Sequence, residues 1–197
     1  MGETVEVDAY SKRIVHSWLN KHGNLPSWLA GVGDIVTYRH PPHYSKFQIV
    51  HADYDIFLTG SPDGVLVRRD GSHVIVDYKT AKYTATQDEL FPMYEAQLNA
   101  YALIGEQRDL APVSGLALVY TEPVTDEASA TEDVNHRGSG FAMGFVATVL
   151  EVTLDTNILM PLLARTREIY DLQTSPSGRD GCKDCKLLQD LLDVATM

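Results

Sequence analysis

Over residues 8–21 the apolar positions Ile14, Val15, Trp18 and Leu19 recur at helical spacing, with Asp8 placed to cap the start and Gly23 to stop the run. The pattern predicts an amphipathic opening helix. Residues 23–44 lose that period in Pro- and Gly-rich sequence, including His40-Pro41-Pro42-His43, which predicts irregular chain with a short helical turn near Trp28. Four short runs rich in Val, Ile and Phe follow at 47–51, 55–59, 64–68 and 73–77. They read as strands of a sheet, and Asp70-Gly71 between the last two is a hairpin signal.

A second helix containing Gln97 and Tyr101 is predicted to run to about Gly105, starting either from the capping box Thr86-Gln87-Asp88-Glu89 or with Pro92 in its first turn. Residues 114–120 and 141–152 predict two further strands, separated by an acidic stretch with Gly138 and Gly140 that reads as a mobile loop. Residues 155–171 carry Ile158, Leu162, Ile169 and Leu172 at helical spacing, and the chain closes on Cys182-Lys183-Asp184-Cys185 and a leucine-rich tail. The order predicts an α/β fold: one domain over residues 1–197, a central mixed β-sheet flanked by helices, and a CxxC tail at 182–185.

Charge narrows the function. A formal net charge of −11 argues against broad coating of nucleic acid, although Glu122, Asp126, Glu127, Glu132 and Asp133 concentrate part of the excess in one stretch. Basic residues confined to one groove stay compatible with DNA. No apolar run approaches the ~20 residues of a membrane span, and the first residues lack a basic start and apolar core, so the expectation is a cytoplasmic protein with no membrane partner.

The segment that carries chemistry is Pro62-Asp63, a strand, the Asp70-Gly71 turn, a second strand, and Asp77-Tyr78-Lys79. A tight hairpin would bring Asp63, at the start of one strand, beside Asp77, at the end of the next. Two carboxylates so placed repel unless a cation lies between them, and hard oxygen ligands favour Mg²⁺ or Mn²⁺. Strand alternation puts Lys79 on the face of Asp77, where an ammonium can orient an attacking water and offset charge on a phosphorane-like transition state. Solvated turn residues are the plain alternative for any one of these side chains.

Pro62-Asp63 with Asp77-Tyr78-Lys79 resembles the signature of the PD-(D/E)XK nuclease superfamily, and Asp-Tyr-Lys-Thr is the form its RecB-like branch favours. Gln97-Leu98-Asn99-Ala100-Tyr101 resembles the QxxxY element of the same branch, whose two side chains share a helix face. The resemblance implies a restriction-endonuclease-like fold and metal-dependent hydrolysis of DNA, by exonuclease or endonuclease action, in repair, recombination, phage or CRISPR-related processing. It implies catalytic roles for Asp63, Asp77, Lys79, Gln97 and Tyr101, and a metal set of Asp63, Asp77, the Tyr78 carbonyl and a histidine from the first helix. His16 matches that histidine, with His51 as the alternative. Lys82 and Arg13 are candidate phosphate contacts among the basic residues, which also include Lys12 and Arg39. There is no GxxxxGK[ST] loop, so any motor would be a separate helicase or recombination protein. The rival reading is a non-catalytic module that keeps the fold to bind nucleic acid or a protein; the full motif set counts against it.

Relatives in this branch often hold an iron–sulfur cluster on four cysteines. This chain has Cys182 and Cys185 alone, with Ser11 and Leu191 near where the others would stand, so no such cluster is expected. The pair is read as free thiols, with a zinc site shared with His40 and His43 as the alternative.

Overall fold

The computed structural model describes residues 3–84 and 89–195. The capping box at 86–89 falls largely outside these, and the second helix begins with Pro92 in its first turn. Helix α1 (Glu3–His22) is followed by a 3-10 turn at Ser27–Val32 and strand β1 (Ile35–Arg39). Then come β2 (Gln48–His51), β3 (Ile56–Thr59), β4 (Gly64–Arg68), β5 (His73–Lys79) and α2 (Phe91–Glu106). The remainder is β6 (Val113–Pro123), α3 (Glu127–Ala130), β7 (His136–Arg137), β8 (Gly140–Phe141), β9 (Phe145–Val152), α4 (Leu159–Tyr170) and α5 (Lys183–Ala195).

The central sheet has the order β1-β4-β5-β6-β9 and is mixed: β5 and β6 run parallel, and the other neighbours are antiparallel. The parallel pair needs a crossover, and α2 provides it. The β4–β5 turn is built by Asp70 and Gly71. Gly71 has φ +85°, a conformation glycine adopts without strain, and Asp70 Oδ1 accepts from the Ser72 N–H at 2.9 Å and the Ser72 hydroxyl at 2.7 Å.

Alternation along β5 divides the core. Val74, Val76 and Tyr78 pack on the α1 side with Val15, Leu19, Leu29, Leu66 and Val119. Ile75 packs on the α2 side with Leu98, Ala102, Leu116 and Leu118. Every residue of β5 up to Tyr78 is buried, as expected of a central strand covered on both faces.

Several expectations are corrected. Residues 35–39, read as irregular, form the edge strand β1. The runs at 47–51 and 55–59 form a separate two-stranded hairpin rather than joining the central sheet. The stretch read as a mobile loop folds as α3, a 3-10 turn and the β7–β8 hairpin. The tail forms α5, and Cys182 and Cys185 are free thiols, with the Cys185 N–H donating to Cys182 Sγ. Among the described residues no three His, Cys, Asp or Glu side chains gather as a metal-holding group, so the structure does not assemble a zinc site from His40, His43 and the two cysteines.

Candidate active site

The β4–β5 register pairs Gly64 with Val76, and one step further sets Asp63 across from Asp77. Alternation puts Asp77 and Lys79 on the Ile75 face, toward α2. There Tyr94, Gln97 and Tyr101 line one cavity of about 430 Å³ together with Asp8, Ser61, Asp63, Asp77, Tyr78, Lys79 and Thr80.

Asp77 is 3% exposed. Its Oδ1 accepts from Gln97 Nε2 at 3.3 Å, and Gln97 donates to the Tyr101 hydroxyl at 3.0 Å, as the i, i+4 spacing allows. Lys79 Nζ lies 2.6 Å from Asp77 Oδ2, a charge contact off the line of a hydrogen bond, so that buried oxygen has no hydrogen-bond partner. The same ammonium sits 4.3 Å from the centre of the Tyr94 ring, a cation–π contact. Burial raises the Asp77 pKa; Lys79 counteracts it, and the neighbouring Asp63 charge adds to it. For Lys79 burial acts downward, but the contact with Asp77 and the charges around it outweigh burial and leave its pKa raised. The two shifts assign the pair opposite merits. Asp77 carries the cost because it is the more deeply buried partner and faces a second carboxylate.

Asp63 is held from two sides. Its Oδ2 accepts from the Tyr78 main-chain N–H at 3.1 Å, and its Oδ1 meets Lys12 Nζ at 2.7 Å. One turn earlier on α1, Asp8 accepts from the Thr80 hydroxyl at 2.6 Å. Helix α1 therefore closes over the end of the β4–β5 hairpin. The Tyr78 ring lies on the opposite, α1 face, where burial, reinforced by Asp63, pushes its phenol pKa up.

Asp63, Asp77, Tyr78, Lys79, Gln97 and Tyr101 thus converge. His16 stands elsewhere: its ring stacks on Tyr38 at 3.7 Å and meets the edge of His40 at 5.9 Å. Burial, then the charges of His40 and Lys12, lower its pKa. The helical repeat explains the placement, since Lys12 is the α1 residue over Asp63 and His16 follows one turn later, over β1. His51 lies on the separate β2–β3 hairpin, 5.2 Å from the Tyr54 ring. Lys82 pairs with Glu122 at 3.5 Å, and exposed Arg13 donates to Ala9 O of its own helix; neither lines the cavity.

Sequence reasoning missed Asp8 as a site residue, the Lys12 contact with Asp63, and Tyr94. Asp8 and Lys12 carried a signal in their i, i+4 spacing, and Tyr94 in standing three residues before Gln97 on the same helix. Gln97 holds Asp77, and Tyr94 packs against Lys79.

Two opposed carboxylates and a lysine stand at the end of a β-hairpin, backed by a glutamine-bearing crossover helix, on a restriction-endonuclease-like sheet. The chain belongs to the PD-(D/E)XK nuclease superfamily, whose family model matches residues 9–189. Among solved structures it is similar to a chain titled "Crystal structure of SSO0001", with 18% identity, a TM-score of 0.36, and coverage of 92% of this chain and 68% of that one. No curated protein matches it.

Proposed function

We propose that the chain is a Mg²⁺- or Mn²⁺-dependent deoxyribonuclease that hydrolyses phosphodiester bonds, of the RecB-like branch. The observation that carries this reading is the meeting of Asp63, Asp77 and Lys79 in one cavity. The residues fit a hard divalent cation. Asp63 and Asp77 press on each other electrostatically, and the buried Asp77 Oδ2 is met by the Lys79 ammonium rather than by a neutral donor. Asp63, Asp77 and the Tyr78 carbonyl would hold the ion; His16 could join them only by leaving its stack on Tyr38.

Such a cation supplies Lewis-acid polarisation of a phosphoryl oxygen and lowers the pKa of a water at the site. The protein's own groups do the rest. Lys79, charged at neutral pH, orients the attacking water and offsets the negative charge that grows on the phosphoryl oxygens. Tyr94 restricts the ammonium to the cavity. Gln97, braced by the Tyr101 hydroxyl, fixes the Asp77 carboxylate. Exposed Lys82 and Arg13 are the proposed contacts to flanking phosphates, with Lys82 exchanging Glu122 for the backbone. Unwinding, where it is needed, would fall to a separate helicase or recombination partner.

The test is cleavage of labelled single-stranded DNA, double-stranded DNA and RNA by the native protein and by Asp63→Ala, each with Mn²⁺. DNA cleavage lost in the variant supports the reading. Equal cleavage by both proteins, or cleavage of RNA alone, contradicts it.

A further inference from the structure

Every oxygen of the two central carboxylates already faces a cation or a donor. Asp63 Oδ1 has Lys12 at 2.7 Å, Asp63 Oδ2 the Tyr78 N–H at 3.1 Å, Asp77 Oδ1 the Gln97 amide at 3.3 Å, and Asp77 Oδ2 the Lys79 ammonium at 2.6 Å. Asp8 adds a third carboxylate to the same cavity, so the centre without an ion has three carboxylates to two ammonium groups and can take up a divalent cation. An ion held by Asp63 and Asp77 must nevertheless take a carboxylate oxygen from the group that now faces it, and at Asp63 Oδ1 that group is Lys12.

The structure distinguishes the two lysines. Lys79 ends β5, where the strand is still paired with β6, and its ammonium lies against the Tyr94 ring. Lys12 reaches Asp63 from α1, an element outside the β-hairpin, and among the described residues no aromatic ring holds its ammonium as Tyr94 holds that of Lys79. It also has somewhere to go. Asp8 lies four residues earlier on α1 and lines the cavity, and an acid at i with a lysine at i+4 is the favourable helical order for an ion pair.

We propose that Lys12 is a positioning residue that stands in for the metal. It occupies Asp63 Oδ1 while the centre lacks a divalent cation, and it withdraws toward Asp8 and the incoming phosphate when the cation binds. Lys12 thereby competes with the metal for Asp63, so the affinity for the ion is set partly from α1. This inference rests on the proposed metal reading of Asp63 and Asp77.

Mn²⁺ binding to the full chain without DNA, read by the electron paramagnetic resonance signal of free Mn²⁺, tests it. Lys12→Met should bind Mn²⁺ about fivefold more tightly than the native protein, the scale of losing one partly screened ion pair. Lys12→Arg, which keeps the charge, should stay near the native affinity, and Asp63→Asn should lose the site. The rise in melting temperature on adding Mn²⁺ should be larger for Lys12→Met than for the native chain. Lys12→Gln repeats the measurement if the methionine variant does not fold. Native binding lost in Asp63→Asn but unchanged or weakened in Lys12→Met and Lys12→Gln overturns the competition and leaves the metal reading standing. Absence of native binding overturns both.

Discussion

At the residue scale the centre is held together by groups that would rather be apart. Asp77 is buried, faces Asp63, and has a raised pKa for both reasons. A carboxyl whose folded pKa exceeds its unfolded value binds its proton more tightly in the folded state, so ionisation costs stability. That cost is absent below the ordinary carboxylate range near pH 4, grows as pH rises from there to the folded pKa, and is complete above it. Asp77→Asn should therefore raise the melting temperature at pH 7 in the presence of a chelator. The gain should disappear in a melt below about pH 4, and an unchanged or lowered melting temperature at pH 7 would refute the electrostatic account. Gly60 is a second residue under constraint. A Cβ there would overlap the Tyr101 ring, the ring that braces Gln97. Gly60→Ala should cost about 1–3 kcal/mol in denaturant unfolding by overpacking, and it should lower cleavage more than Tyr101→Phe, which keeps the ring and loses one hydrogen bond.

At the element scale the site depends on how α2 is pinned. Asn99 is fully buried on that helix; it donates to Thr153 O at 2.9 Å and accepts from Asp155 N at 2.8 Å, tying α2 to the segment between β9 and α4. Asn99→Ala leaves both main-chain groups without this partner and should cost about 1–3 kcal/mol of stability in urea; a loss under half that would show the link to be dispensable. Elements also show what the sequence could reveal. The β4–β5 hairpin was legible because its apolar runs, Asp70-Gly71 and Asp77-Tyr78-Lys79 are local signals, and the site's core came with it. The edge strand β1 was hidden because Ile35-Val36-Thr37-Tyr38-Arg39 lies among Gly and Pro residues, which locally favour irregular chain. The β2–β3 hairpin was seen as strands, but sheet membership depends on long-range pairing that no local period encodes. The same limit explains Lys12 and His16. Both lie on one stripe of α1, and only the docking of that helix on the sheet decides which of them meets Asp63.

At the scale of the whole molecule, a strongly acidic chain is proposed to act on a polyanion. The formal net charge is −11, and no described helix is long and apolar enough to cross a membrane. Productive contact with DNA must then be confined to a few cations around the cavity, with the rest of the surface repelling the backbone. The affinity for DNA should consequently depend only mildly on salt, with a slope of log K against log salt of about −3, the value for roughly three neutralised phosphates. A slope near −8, as for roughly nine phosphates, would reveal a basic footprint that this account does not contain.

The central claim is that Asp63, Asp77 and Lys79 form one hydrolytic centre. Its most direct test is the cleavage of labelled DNA with Mg²⁺, Mn²⁺ or EDTA by the native protein and by Lys79→Ala, with folding of both checked by circular dichroism. The account predicts cleavage that requires the metal and falls by at least about a hundredfold in the variant, the loss typical of removing one group that stabilises the transition state. Metal-dependent cleavage that survives in Lys79→Ala, or no cleavage by a folded, Mn²⁺-binding native protein, would contradict it.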